Sequence, residues 1–66
     1  MYTNLRKLMV EKGVTVEQLA KMLWVHRNTV QNKLDGESKF TFGQAAMIAD
    51  LVFPEYKPSY LFKRSA

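Results

Sequence analysis

The sequence predicts a small all-α domain of four helices followed by a terminal helical turn, on three observations. Apolar residues recur at helical spacing in four separate segments. Residues that favour helix starts and stops stand at the ends of these segments. No segment alternates apolar and polar residues over the length of a strand. With 66 residues, we expect one domain, 1–66, with a small hydrophobic core.

The first helix is predicted over residues 4–12. Leu5, Leu8 and Met9 recur at helical spacing and are expected to face the core. Gly13 follows, and glycine readily takes the left-handed conformation that ends a helix. The chain is therefore expected to turn at Gly13.

The second helix is predicted to begin near Val16. Thr15 and Gln18 have the spacing of a capping box, in which each side chain accepts a hydrogen bond from the other residue's backbone. Leu19 and Leu23 then lie on its apolar face. A third helix is predicted over about residues 27–34.

Thr41 and Gln44 form a second capping-box pair and predict a fourth helix over about residues 42–52. Two prolines interrupt any continuation of that helix. The apolar run Tyr60–Phe62 predicts a short helical turn folded back on the core. We expect residues 63–66 to fray.

Six aromatic residues in the C-terminal half are interpreted mainly as core because of their helical spacing. They are Phe40, Phe42, Phe53, Tyr56, Tyr60 and Phe62. Stacking platforms for single-stranded bases are an alternative, but such platforms need rings displayed on a basic surface. A subset within residues 53–62 is a candidate dimer contact.

Composition narrows the classes of function. The net charge is +4 and the sequence pI is about 9.6, which favours an acidic partner, with nucleic acid ahead of an anionic membrane. There is no cysteine and one histidine, so we expect no disulfide, metal site or cofactor, and no enzymatic activity. Without a long apolar run or a signal-peptide pattern, a cytosolic location is expected, with no membrane partner and no small-molecule ligand.

The second and third predicted helices are separated by only a few residues, an arrangement that fits a helix-turn-helix over residues 16–35. In that motif the second of the two helices presents its N-terminal half to the major groove of DNA. Val30 and Leu34 are predicted to hold this helix on the core, and Gly36 to end it. The spacing thus indicates double-stranded DNA as the partner.

The outward face of the third helix carries side chains that can read bases. A step of about 100° per residue places Asn28 and Asn32 opposite the core, with Arg27 and Gln31 on one flank and no Glu or Asp on that face. Arg can donate two hydrogen bonds to guanine, and Asn and Gln can pair with adenine. His26 is a further candidate, as a base reader, a helix cap or a phosphate contact.

Four cationic residues around this face are predicted to contact phosphates. They are Arg6, Lys21, Lys33 and Lys39. Such contacts supply affinity that depends on salt and carries no sequence information.

The segment VEQLAKMLWVHRNTVQNKLDG, residues 16–36, resembles the helix-turn-helix of the phage-repressor and Cro-like regulator family. The matching positions are Ala20, Val25, Thr29, Val30 and Gly36. The continuation FTFGQAAMIADLVFPEYKPSYLF is similar to the fourth and fifth helices of small regulators of Gram-positive temperate phages and mobile elements. The resemblance therefore covers nearly the whole chain.

This resemblance implies a lambda-repressor-like fold and base reading by residues at the start of the third helix and one turn later. On the matching positions these are His26, Arg27, Asn28, Gln31 and Asn32. Thr29 is a further candidate for a phosphate contact.

The chain departs from the family at two positions. Trp24 stands where the family often has Gly in the turn, and Val16 where it often has a phosphate-binding Gln. A bulky residue at positive φ is disfavoured, so Trp24 is expected to strain or reshape the turn. We expect its ring to cover the turn by local packing, with the sugar-phosphate backbone or a protein partner as alternative contacts.

The function predicted from these features is a sequence-specific transcriptional regulator, a repressor that binds a pseudo-palindromic operator as a homodimer. A protein-interaction or antitoxin-like module with the same fold is the alternative, and a membrane-surface peptide is disfavoured because the apolar residues are divided among several capped helices. The residues fit both a complete small regulator and the DNA-binding part of a longer repressor.

Overall fold

The computed structural model describes residues 2–64 and shows five α-helices there and no strand. They are α1 (Thr3–Lys12), α2 (Val16–Leu23), α3 (Arg27–Leu34), α4 (Phe42–Leu51) and α5 (Pro58–Leu61). The predicted all-α fold of four helices and a terminal turn is confirmed. The predicted bounds differ by one residue at the start of α1 and at the end of α4.

Both predicted capping boxes are present. At the start of α2, Thr15 Oγ1 accepts a hydrogen bond from the Gln18 N–H at 3.1 Å, and Gln18 Oε1 accepts one from the Thr15 N–H at 2.9 Å. Thr41 and Gln44 make the same pair of bonds at 3.1 and 3.0 Å before α4. Each box satisfies backbone N–H groups that a helix start leaves without a partner, so it determines where the helix begins.

Three of the helices end in the same kind of turn. Each turn contains one left-handed residue: Gly13 (φ 68°) directly after α1, Trp24 (φ 59°) directly after α2, and Gly36 (φ 90°) two residues after α3. Its N–H donates to the carbonyl three residues back, and the next N–H donates to the carbonyl five residues back. This is the Schellman motif, which satisfies carbonyl groups at a helix end while reversing the chain.

The hydrophobic core is formed by all five helices. One fully buried side chain comes from each helix, and Phe53, between α4 and α5, is the largest of the set; the others are Leu5, Leu19, Val30, Ile48 and Leu61. α2 packs most extensively on α3, and α4 joins α2 to α5. The core therefore holds α3 in a fixed position against α2.

An aromatic cluster connects the two ends of the described chain. Tyr2, Phe40 and Phe62 lie with ring centroids 5.3 to 5.8 Å apart and tilted to each other, a favourable arrangement of aromatic quadrupoles. The Arg64 guanidinium lies 5.7 Å from the Tyr2 ring centre. The expected fraying of residues 63–66 stays a prediction, and residues 65–66 of that segment lie outside the described part.

The interpretation of most of the six C-terminal aromatic residues as core is confirmed for Phe53, which is fully buried, and for Phe40, Tyr56 and Phe62, which pack against the core. It is wrong for Phe42, which is 90% exposed. The buried residues of α4, Ile48 and Ala49, lie in its second half, so its first turn projects beyond the core. Tyr60 is 44% exposed and stacks on Tyr56 at a centroid distance of 5.7 Å. Among residues 2–64, no helix is long and apolar enough to cross a membrane.

Candidate nucleic-acid interface

Only residues 24–26 separate α2 from α3, so the two helices form a helix-turn-helix as predicted. His26 is extended (φ −72°, ψ 151°) and immediately precedes α3, but its imidazole makes no capping hydrogen bond. Of the three roles considered for His26, the side-chain cap is therefore wrong. Its exposed ring at the start of α3 leaves base reading and phosphate contact as predictions.

The side of α3 that faces away from the core carries Asn28 and Asn32, both exposed, while Val30 and Leu34 are buried. Within residues 2–64, neither asparagine amide hydrogen-bonds to another group. A primary amide offers an acceptor and two donors, which match the N6 and N7 edge of adenine in the major groove. These two side chains are thus exposed and available for a base.

Arg27, at the first position of α3, is also exposed, but it is not free. Its Nε lies 3.1 Å from Glu17 Oε2, and the two side chains are 62% and 56% exposed. Glu17 belongs to the first turn of α2, where a carboxylate is favoured by the helix dipole. The ion pair holds the predicted guanine reader against the neighbouring helix.

Gln31 is half-buried and its Nε2 donates to Asp35 Oδ1 at 3.1 Å. Arg6 from α1 lies 3.4 Å from the same oxygen. The expectation that no carboxylate lies on the reading face holds for α3 alone: Glu17 approaches from α2, and Asp35 follows α3 one turn after Gln31. The chain's fold brings both acids to the edge of that face.

The five residues predicted to contact phosphates are placed differently. Lys21 and Lys39 are exposed, whereas Thr29 and Lys33 are partly buried. The Lys33 ammonium donates to the Lys39 carbonyl at 2.8 Å and lies 6.0 Å from the Phe40 ring centre, so it braces the connection between α3 and α4. With Arg6 already paired to Asp35, Lys21 and Lys39 are the cations of this set that have no partner in the described chain.

Trp24 does not pack on the turn as expected, because 92% of its surface is exposed. The next residue, Val25, takes the apolar position against the core and leaves the indole outside. The turn keeps the Schellman hydrogen bonds, so of the two expected effects the structure shows strain, as a positive φ of 59°, and not a reshaped turn. Sequence reasoning identified Trp24 as unusual and missed its exposure.

Two features of the interface were missed by the sequence analysis, and only one of them had a signal in the sequence. The Arg27–Glu17 pair depends on the packing of α2 on α3, and no spacing rule relates residues in different helices. The hydrogen bond from Gln31 to Asp35 spans four residues, a spacing that could have suggested it, although Asp35 lies just beyond the helix. Within residues 2–64 no three His, Asp or Glu side chains are grouped to hold a metal ion.

The family model described as Cro/C1-type HTH DNA-binding domain matches residues 4–52. The matched segment begins in α1, includes all of α2, the turn and α3, and ends just after α4. No curated protein and no solved structure gives a significant match.

Proposed function

Because the chain belongs to the Cro/C1-type HTH DNA-binding domain family, we propose that it is a transcriptional regulator that recognises a specific sequence in double-stranded DNA. The family membership makes it a DNA-binding helix-turn-helix. The proposal adds that it acts as a repressor in the bacterial cytosol, in a phage or mobile element, and that α3 reads the major groove. Binding, and not catalysis, is its activity.

The observation that carries this proposal is the pair of unpartnered amides on α3. Asn28 and Asn32 are four residues apart, which is about 6 Å along a helix axis, and successive bases of one strand are about 3.4 Å apart. The two side chains can therefore reach bases roughly two steps apart. We propose that both read adenine and that Arg27 reads guanine after leaving Glu17.

The remaining predicted contacts have a supporting role in the proposal. Gln31 reads a base only after its hydrogen bond to Asp35 is broken. His26, just before α3, reads a base or contacts a phosphate at the edge of the major groove. Lys21 and Lys39 supply the main phosphate contacts because their ammonium groups have no other partner among residues 2–64. Arg6, Lys33 and Thr29 contribute where the approach of DNA displaces their present neighbours.

We propose a homodimer on the operator, since one copy of α3 covers only a half-site. Two copies of α3 would enter successive major grooves about 34 Å apart on one face of the duplex. Phe53 is fully buried, which removes it from the candidate dimer contact, and Tyr60 is the most exposed aromatic residue of that segment. A dimer contact centred on Tyr60 is consistent with this exposure.

The test is selection of duplexes from a randomised pool, followed by affinity measurement on the enriched site at several salt concentrations. We expect a palindrome whose half-sites lie one helical turn apart. Arg27→Ala and Asn28→Ala should each cost about 1–3 kcal/mol and relax preference at one base pair per half-site. Lys7→Ala is the matched control for Arg27→Ala, because Lys7 is an exposed cation on α1, outside the proposed contacts.

Unchanged sequence preference in both α3 variants would refute the assignment of α3 as the reader. A second candidate function, a protein-interaction module, is favoured by the exposure of Trp24 and Phe42, 92% and 90%. It predicts no enriched motif and only weak binding to DNA that disappears as salt is raised.

A further inference from the structure

Trp24 combines two unfavourable features that the fold does not require. Among residues 2–64 it is the most exposed large apolar side chain, at 92%, and the one non-glycine residue with positive φ. Its indole N–H has no hydrogen-bond partner in the same part of the chain. A non-glycine residue held at positive φ costs free energy, and such strained positions cluster at functional sites.

The other two Schellman turns show what the backbone alone favours. Gly13 and Gly36 occupy the same position in turns with the same pair of hydrogen bonds. Glycine takes this conformation without a steric penalty, whereas a Cβ makes it unfavourable. The ring of Trp24 therefore stabilises neither its turn nor the core.

The turn lies at the end of α3 that would enter DNA. Trp24 precedes Arg27 by three residues, so their Cα atoms are at most about 11 Å apart. A helix with its side chains is about 10–12 Å wide and fills a major groove about 12 Å wide. With α3 in the groove as proposed, residues just before it would lie near the sugar-phosphate backbone that forms the groove's wall.

The surface beside the turn carries cationic side chains. A shallow groove formed by α2 and the start of α3 is lined by Lys21, His26 and Arg27 together with Glu17, Ala20 and Val25. The remaining exposed large apolar side chains belong to α1, α4 and α5: Val10, Phe42, Met47, Leu51 and Tyr60. A single indole among cations suits a nucleic-acid backbone better than a protein interface, whose core is apolar and depleted in charge.

We propose that Trp24 is a DNA contact outside the reading helix, packing its ring on a deoxyribose and donating its indole N–H to a phosphate oxygen. The inference rests on the proposed function and adds a backbone contact that strengthens binding without reading sequence. Lys21, one turn earlier in α2, neutralises phosphate charge on the same side. The turn thereby becomes part of the interface.

Trp24 is the only tryptophan of the chain, so its fluorescence reports this contact directly in the unmodified protein. On titration with the selected duplex, we expect the emission to change and quenching by iodide to decrease. Raising the protein concentration without DNA should change neither. Protection that appears with protein concentration alone would overturn the proposal, because the ring would then be covered by a second copy.

Trp24→Gly separates a DNA contact from a structural role. Because glycine relieves the left-handed strain, the variant should unfold about 4 °C higher. Its affinity for the selected duplex should nevertheless fall roughly tenfold, with the same preferred sequence. Leu51→Ala is the control: it removes another exposed apolar side chain, 66% exposed on α4, and should leave both affinity and fluorescence change unaltered.

The outcomes distinguish this inference from the proposed function. If the chain binds a motif that depends on Arg27, while Trp24→Gly binds equally well and iodide quenching is unchanged on DNA, the inference is overturned and the proposed function stands. If no duplex is enriched and none protects the ring, both are overturned.

Discussion

On the proposed assignment of Arg27 as a base reader, Glu17→Gln should increase the affinity of the chain for its operator, because the carboxylate of Glu17 would compete with DNA for Arg27. The ion pair joins Arg27 Nε to Glu17 Oε2 at 3.1 Å, and both side chains are more than half exposed. An exposed pair of this kind contributes about 0.2–1 kcal/mol. Repulsion between the carboxylate and phosphates at about 8 Å adds about 0.5 kcal/mol in water, less at physiological salt. The expected gain is about 1 kcal/mol, or roughly fivefold in Kd.

The assay is fluorescence anisotropy or competition gel shift on the selected duplex, with wild type, Glu17→Gln, Arg27→Ala and the double variant. In the Arg27→Ala background, Glu17→Gln should improve binding only about twofold, because just the long-range repulsion is left to remove. If Arg27 reads a base and contacts no phosphate, Arg27→Ala should change the slope of log K against log salt by less than about 0.9, the value for one phosphate contact. Thermal unfolding should show a small loss of stability, since Glu17 also interacts favourably with the α2 dipole.

Weaker binding of Glu17→Gln would refute this reasoning, because it would mean that Glu17 holds Arg27 in its reading position and does not compete for it. An equal gain with and without Arg27 would also contradict it, since the gain would then come from charge alone. Loss of guanine preference in Glu17→Gln would support the positioning role instead.

The fold makes further predictions. Thr15→Ala should lower the free energy of unfolding by about 1 kcal/mol in urea or heat, because the start of α2 loses its cap, and an unchanged midpoint would contradict this. Phe53→Ala should cost about 3–5 kcal/mol, close to the whole stability of a small domain, so circular dichroism should show substantial unfolding at 25 °C. A hydrogen bond to Glu55 raises the pKa of Lys12 above its ordinary 10.5. The pair therefore stabilises the fold below about pH 10.5, and this stabilisation is lost as the pH rises through the raised pKa. Glu55→Gln should therefore show a smaller alkaline fall in Tm than wild type, and equal falls would exclude the pair.

The helix boundaries were predictable because the signals that set them are local. Capping boxes and the left-handed glycines act within a few residues of the helix end, so their spacing in the sequence translates directly into structure. Burial of Val30 and Leu34 followed from helical periodicity in the same way, and it left Asn28 and Asn32 outside. The face of α3 that points away from the core could therefore be predicted from the sequence.

The exposure of Phe42 and Trp24 and the pairing of Arg27 were not predictable by the same means. Each depends on where one helix ends relative to another: the first turn of α4 projects past the core, and α2 brings Glu17 beside α3. Helical spacing indicates which side of a helix is apolar, but it does not indicate how much of that side a neighbouring helix of the same chain covers. Hydrophobicity alone therefore overestimated the burial of both aromatic rings.

The carboxylates near the reading face bear on how this interface would discriminate among sequences. Arg27 and Gln31 each have an intramolecular partner in the free chain, Glu17 and Asp35, whereas Asn28 and Asn32 have none within residues 2–64. On a sequence without a matching base, breaking either pair yields no compensating hydrogen bond, and the acid is brought closer to phosphate. On the matching sequence, a bidentate contact worth about 1–3 kcal/mol exceeds the value of the exposed pair. The pairs are therefore broken in the specific complex and stay closed on other sequences. The acids thus weaken specific binding by the value of the pair in addition to the repulsion from phosphates, and specificity is the difference between the two free energies of binding. Glu17→Gln should accordingly gain more affinity on the operator, roughly fivefold, than on random duplex, about twofold, so the Kd on random duplex divided by the Kd on the operator should rise. A fall in that ratio would contradict the competition between Glu17 and DNA for Arg27.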